Sequence, residues 1–215
     1  MTDIEAPKSD NINKILKVLV IGEMGSGKTS IIRQYVQGFF SEFYKSTIGV
    51  DFANKTITWD DNTTISLQLW DIAGQERYGT MTHVYYQEAA AALVVFDLTK
   101  EKTFEMVLNW KNDVDQKVFT ADNKPIPCLL LGNKVDLIEE DPSKWQRTEE
   151  EMNEYCKTNG FIGFFKTSAR AKTNIEEAAN FLVKYIIEND IQPQTVSKGV
   201  DLKEENQTKS KGCCK

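Results

Sequence analysis

The chain has 215 residues, enough for one substantial core and a tail, and its 40% hydrophobic and 27% charged residues are ordinary for a globular fold. A net charge of −6 carries no nucleic-acid footprint, and the single histidine, His83, excludes a multi-histidine metal site. No apolar run approaches the ~18 residues of a membrane-spanning helix. Residues 1–13 lack the apolar centre of a signal peptide and are expected to form a flexible extension of a chain that starts in the cytosol. Thr2 excludes N-myristoylation.

Lys14 to Ile21 is a nearly continuous apolar run and reads as a buried strand. It leads into Gly22-Glu23-Met24-Gly25-Ser26-Gly27-Lys28-Thr29, which fits the phosphate-loop pattern G-x-x-x-x-G-K-[ST]. Ile31, Ile32, Tyr35 and Val36 then recur at helical spacing until Gly38 supplies a stop. Strand, loop and helix are the context the motif needs. Its glycines let backbone N–H groups approach an anion, and the helix N-terminus adds partial positive charge. Lys28 can reach terminal phosphates and the Thr29 hydroxyl can bind Mg²⁺.

Phe39 to Thr47 is rich in aromatics and without period, a loop whose composition points to function. Ile48 to Asp60 and Thr64 to Ile72 form a hairpin around Asp60-Asp61-Asn62. Strand parity puts Trp70 with Ser66 and Gln68, and Phe52 with Asn54, Thr56 and Thr58; aromatics on polar faces indicate a partner surface. Ala91 to Leu98 is the next buried strand, and Phe104, Val107, Leu108 and Val114 mark a helix. Ile126 to Gly132 is a strand ending in Asn133-Lys134-Val135-Asp136. Thr148-x-x-Glu151 caps a helix that stops at Asn159-Gly160. Phe164 to Ala169 is a short last strand, and Thr173-x-x-Glu176 is expected to cap the final helix, with Ile175, Ala178, Ala179, Leu182 and Ile186 on one face. From about residue 190 the chain is polar and expected to be disordered; five lysines against three acids from residue 191 make it only mildly basic.

Strands alternating with helices imply an α/β fold with a mostly parallel sheet, one antiparallel strand and helices on both faces. Ligands of such sheets bind beyond the carboxyl ends of the strands. Gly22 to Thr29, Asp71 to Gln75, Asn133 to Asp136 and Ser168 to Arg170 all fall at such ends. Asp71 can hold Mg²⁺ through a water, the Gly74 N–H can meet a γ-phosphate, and Gln75 can orient an attacking water. Asp136 is an acceptor only, so it pairs with the N1–H and N2–H₂ donors of guanine and rejects adenine. A P-loop kinase or ATPase, the competing class, is disfavoured by Asp136 and the short connections. A nucleotide-bound scaffold that never hydrolyses is disfavoured by Gln75, Thr29 and Thr47.

With these motifs in place the chain, over about residues 14–189, resembles the small GTPases of the Ras superfamily. Ser46 to Phe52, Trp70 to Tyr78 and the adjacent Cys213 and Cys214 resemble the Rab family; Gly212 excludes the CaaX signal of Ras and Rho proteins. Ile72 and Asn174 to Ala179 resemble the Rab branch that serves melanosomes, phagosomes and other lysosome-related organelles. The resemblance implies the six-stranded P-loop NTPase G domain. It also implies a switch that binds GTP or GDP with Mg²⁺, hydrolyses GTP and recruits effectors to direct vesicle traffic.

By the same resemblance Met24, Gly25, Ser26, Gly27, Lys28, Thr29 and Ser30 surround the phosphates. Thr29, Thr47 and Asp71 serve the metal, Tyr44 covers the phosphates, and Phe40, Asn133, Lys134, Asp136, Ser168, Ala169 and Arg170 hold the base. Gln75 is the catalytic residue, and Ile48, Phe52, Trp70 and Tyr85 form the effector surface. Cys213 and Cys214 carry geranylgeranyl lipids. Implied partners are an exchange factor, a GTPase-activating protein, a GDP-dissociation inhibitor or escort protein, and effectors, acting on a monomer at the cytoplasmic face of an endosomal, lysosome-related or phagosomal membrane, with a cytosolic GDP-bound pool. Two departures stand out. Arg170 replaces the usual lysine, its stem still able to pack on a base. Met24 brings bulk beside the γ-phosphate and is expected to slow hydrolysis.

Overall fold

The computed structural model describes residues 12–43, 45–75 and 82–195; Tyr44, residues 76–81 and both ends lie outside the described residues, and with them the expectations for Tyr44, Cys213 and Cys214. Six strands form one sheet in the order β2-β3-β1-β4-β5-β6. β1 (Ile12–Ile21) lies between β3 (Thr63–Ile72) and β4 (Ala91–Asp97), parallel to both. β5 (Cys128–Asn133) and β6 (Phe164–Thr167) extend the parallel array, and β2 (Val50–Thr58) alone runs antiparallel, against β3.

Alternation along the strands divides the core in two. Leu16, Val18 and Val20 of β1 face α1 (Lys28–Gln37) and the last helix, α7 (Ile175–Glu188), packing with Ile31, Ile32, Leu182 and Ile186. Leu19 and Ile21 face the other way, into a cluster with Tyr86 of α2 (Thr82–Tyr86), Phe104 of α3 (Glu101–Glu105), Trp110 and Val114 of α4 (Val107–Lys117), and Met152 and Cys156 of α6 (Glu149–Thr158). The helices therefore cover both faces, as period-2 burial on two-sided strands demands. Thr148 caps α6 in the expected capping box with Glu151.

Four local expectations give way. β1 starts at Ile12, two residues inside the segment expected to be a flexible extension, because the Ile12 N–H finds the Asn62 carbonyl of the hairpin turn at 2.7 Å. The helix after β4 is two helices meeting at Met106. Thr173 does not cap α7: it exchanges backbone hydrogen bonds with Ser168, and Asn174, at φ 53°, becomes the N-cap and donates its amide to the Lys166 carbonyl at 2.8 Å. Beyond α7, where disorder was expected, the chain folds back. The Ala121 N–H donates to the Gln192 carbonyl and the Gln194 N–H to the Phe119 carbonyl, at 2.8 and 3.1 Å, while Ile191 packs on the core. Backbone pairing of this kind leaves no mark in composition. Between β5 and α6 run α5 (Val135–Glu140), which opens at the Asn133-Lys134 turn, and a short 3-10 helix at Pro142–Lys144.

The register brings the carboxyl ends of β1, β3, β4, β5 and β6 to one edge, with Asp97, Asn133 and Thr167 side by side across three strands. Trp110 braces this edge from below. Its indole is fully buried and its Nε1–H donates to Glu23 Oε1 in the loop after β1 at 3.1 Å. Trp110→Ala should lower the unfolding free energy by about 3–5 kcal/mol. Urea unfolding followed by circular dichroism reads the change, and a loss under about 1 kcal/mol would remove Trp110 from the core account.

Candidate nucleotide site

At the carboxyl edge of the sheet lies a cleft of about 350 Å³. Its floor is the loop after β1: Met24, Gly25, Gly27, Lys28, Thr29 and Ser30 all line it. Gly27 adopts φ 99°, and a Cβ there would stand 2.1 Å from the Asn133 amide nitrogen, so only glycine lets the loop pass beneath the β5 end. Ser26 is fully buried under the loop and meets the cleft only through its neighbours; its carbonyl accepts from Asn133 Nδ2 at 2.9 Å.

Lys28 is buried, and its ammonium donates to the Gly22 and Glu23 carbonyls at 2.8 and 3.1 Å. Burial lowers its pKa to about 8, against the opposing pull of Asp71 and Glu23. An ammonium held this way by two carbonyls, in a desolvated wall, is a strong point of attraction for a polyanion.

Beside it three oxygens converge. Thr29 Oγ1 lies 2.9 Å from Thr47 Oγ1 and donates to Asp71 Oδ2 at 2.5 Å, while Thr47 Oγ1 donates to the same oxygen at 3.2 Å. Burial raises the Asp71 pKa, with the Thr29 hydroxyl and Lys28 pulling the other way. Its second oxygen, Oδ1, is buried and has no hydrogen-bond partner among the described residues. Two hydroxyls around a buried, under-satisfied carboxylate are an oxygen donor set that suits a hard cation completed by phosphate and water, so the residues fit Mg²⁺. Gly74 closes this side; a Cβ on it would come 2.4 Å from the Met24 backbone nitrogen.

The opposite end of the cleft is built from β5 and β6. Asn133 Oδ1 accepts from the Ala169 N–H at 3.3 Å and from Thr167 Oγ1 at 3.4 Å. Lys134 takes φ 70°, a left-handed turn that sends its side chain back over the floor, where Nζ donates to the Gly25 carbonyl at 2.9 Å and to Asp97 Oδ2 at 2.6 Å. Asp136 lines the cleft and has one carboxylate oxygen held by Ser168 Oγ at 2.7 Å. Phe40, Ala169 and Arg170 complete this end, and Arg170 reaches Glu42 across the mouth at 3.7 Å.

Most of the residues singled out from the sequence thus meet around one cleft. Asp71 and Ser168 stand behind its wall and act through Thr29 and Asp136, while Gln75 sits at its rim with its amide donating to Met24 Sδ at 3.7 Å. Ile48, Phe52, Trp70 and Tyr85 do not belong to the cleft. Phe52, 64% exposed, stacks on Trp70 with centroids 6.0 Å apart, and Lys17 Nζ lies 3.7 Å from the Trp70 ring centre on the same sheet face. Sequence reasoning missed Asp97 and the Trp110–Glu23 contact. Asp97 carries the weak signal of a lone carboxylate ending an apolar strand; Trp110, on a helix far along the chain, carries none.

A P-loop domain with a hard-cation oxygen cluster at one end of its cleft and a carboxylate at the base end is a guanine-nucleotide-binding protein; that is the class the fold and site define. The sequence profile of the Ras family matches residues 17–188. The chain is 52% identical to the Ras-related protein Rab-32A of Dictyostelium discoideum over 208 residues, 94% of each chain. It is 52% identical to Rab-32 of Homo sapiens over 184 residues, 86% of this chain and 80% of the relative, and 45% identical to Rab-7L1 of Rattus norvegicus over 175 residues, 81% and 83%. The chain belongs to the Ras family and, within it, to the Rab proteins. It is accordingly a GTPase that binds GTP and GDP with Mg²⁺ and acts as a switch in membrane traffic, with exchange factors, GTPase-activating proteins, GDP-dissociation inhibitors and effectors as partners.

Proposed function

We propose that the cleft holds the nucleotide with its phosphates over Gly25 to Ser30 and its guanine between Phe40, Lys134 and Arg170, against Asp136. The observation that carries this reading is the pair of chemistries 133–136 and 28–29 at opposite ends of one cleft, tied together by Asn133 Nδ2 on the Ser26 carbonyl. Asp136 accepts the two guanine donors, Ser168 fixes its orientation, and the Ala169 N–H meets the O6 acceptor. Lys28 neutralises the terminal phosphates. Thr29, Thr47 and Asp71 would hold Mg²⁺, which when bound would offset the charge of the phosphates.

Hydrolysis joins a water oxygen to the γ-phosphorus as the bond to the β–γ bridging oxygen breaks, releasing phosphate and GDP. Gln75 orients that water. Its amide now rests on Met24, a side chain 53% exposed, and must leave the sulfur to do so, which supports slow intrinsic turnover. A GTPase-activating protein supplies further positive charge for hydrolysis. With the γ-phosphate present, Thr47 and Gly74 are tied to it and the loops they belong to are ordered; its loss releases them. The Phe52–Trp70 stack, together with Tyr85 and Ile48, is the surface that effectors read.

Cys213 and Cys214 take two geranylgeranyl chains. One chain of modest length gives only reversible binding, and the mildly basic tail adds little, so stable attachment requires two. Ile72 and the Asn174 to Ala179 run, with the Rab-32 likeness, support work at lysosome-related organelles or phagosomes.

Asp136→Asn should lose GTP affinity and gain affinity for xanthosine triphosphate, whose O2 accepts from the new amide. Competition between the two nucleotides for the purified protein reads this, and an unchanged guanine preference would end the base assignment. On the membrane side, Cys213→Ser combined with Cys214→Ser should leave nucleotide binding intact and move the protein to the soluble fraction of its own cell; a double variant that still pellets with membranes contradicts the lipid anchor.

A further inference from the structure

Met24 carries the only sulfur of the phosphate loop, lines the cleft and is 53% exposed. Its Sδ accepts from Gln75 Nε2 at 3.7 Å. The contact follows from the backbone. Gly74, the residue before Gln75, packs so closely on the loop that a Cβ there would come 2.4 Å from the Met24 nitrogen and 2.8 Å from its Cα. Positions 24 and 75 therefore meet across a backbone contact that needs neither side chain. A thioether is a weak acceptor, so the Gln75 amide can leave it for a water at little cost.

The same sulfur is polarizable and open to solvent, the two conditions under which methionine is oxidised. Among the described residues the other sulfurs are less suited. Met152, Cys128 and Cys156 are buried, and burial pushes the two thiols up to about 12 and about 11, away from the thiolate that oxidants attack. Met106 is half-buried, accepts from Asn109 Nδ2 at 3.3 Å and does not line the cleft.

We propose that Met24 is a site of reversible oxidation by hydroperoxides, and that its sulfoxide holds Gln75 back from the attacking water. This rests on the reading of Gln75 as the residue that orients that water. In the step, a sulfur lone pair attacks the terminal peroxide oxygen. The S–O bond forms as the O–O bond breaks, sulfur gives up two electrons, and the peroxide leaves with a proton as water or an alcohol. The product oxygen is a far stronger acceptor than the thioether and stands where the Gln75 amide already points. Gln75 then stays on the loop and the triphosphate state lasts longer. Two electrons and two protons from a thiol reductant return the thioether and water.

The test treats the full chain with hydrogen peroxide, removes the oxidant, loads GTP and starts a single turnover with Mg²⁺. Mass spectrometry of the peptide that carries Met24 counts the added oxygen, and bound GTP is measured beside phosphate release. One oxygen on Met24 should slow hydrolysis by about fivefold or more with GTP still bound, and methionine sulfoxide reductase should restore the rate. Met24→Leu keeps the bulk without the sulfur and carries the same cysteines and other methionines, so peroxide should leave its own rate unchanged. Met24 left unoxidised, an oxidised chain that turns over as fast as the untreated one or loses its GTP, or a Met24→Leu protein slowed just as much by peroxide would each overturn the inference. A Gln75→Leu protein that hydrolyses GTP as fast as the untreated chain would instead remove Gln75 from the reaction, and this inference with it.

Discussion

The structure depends on one buried carboxylate at a strand end. Asp71 closes β3 with both oxygens away from bulk water, and burial alone would push it toward its neutral form. What keeps it useful is the pair of hydroxyls on Oδ2, one from the first turn of α1 and one from the loop before β2. Thr29 and Thr47 are far apart in sequence and 2.9 Å apart at their oxygens, so Asp71 is the point where the phosphate loop and the mobile-composition loop before β2 are stitched to the sheet. A divalent cation and a terminal phosphate at this point change the charge balance for both threonines at once. That is the physical content of a switch here: a local electrostatic event felt by the Thr47 hydroxyl of the loop before β2.

The opposite end of the cleft follows a different logic. Its side chains are fixed before any ligand arrives, by Asn133 on Ser26, by Lys134 between Asp97 and Gly25, and by Asp136 on Ser168. Asn133, Lys134 and Asp136 are each held by a partner on another strand or loop. Preorganisation at the base end supports affinity and selectivity. The sparse attachment at Thr47 leaves the phosphate end able to respond to what is bound.

The sheet was legible because its strands are either continuously apolar, as in β4 and β5, or alternate cleanly, as in β3, and because the phosphate loop, Asp71-x-x-Gly74 and Asn133-Lys134-x-Asp136 sit at strand ends. The parity argument that set Phe52 and Trp70 on polar faces holds in part: the two rings stack, Phe52 exposed and Trp70 half-buried against the core. What escaped was decided by tertiary pairing. Thr173 has the spacing of a cap, but its backbone is taken by Ser168, and Asn174 takes the N-cap position in a left-handed conformation with no side-chain capping bond. The return of residues 191–194 onto 119–121 is carried by backbone hydrogen bonds and the packing of Ile191 alone, in a stretch otherwise polar. Asp97 and Trp110 belong to the site through partners about 37 and 87 residues away, and a linear reading has no means of seeing such distances.

Ordering of Thr47 and its loop by the terminal phosphate, through the Asp71 cluster, is open to direct measurement. Amide hydrogen exchange across residues 45–49 measures this directly, comparing the protein loaded with Mg²⁺ and GDP with the protein loaded with Mg²⁺ and a non-hydrolysable GTP analogue. The account predicts markedly slower exchange in the triphosphate state. Equal exchange in the two states would contradict it.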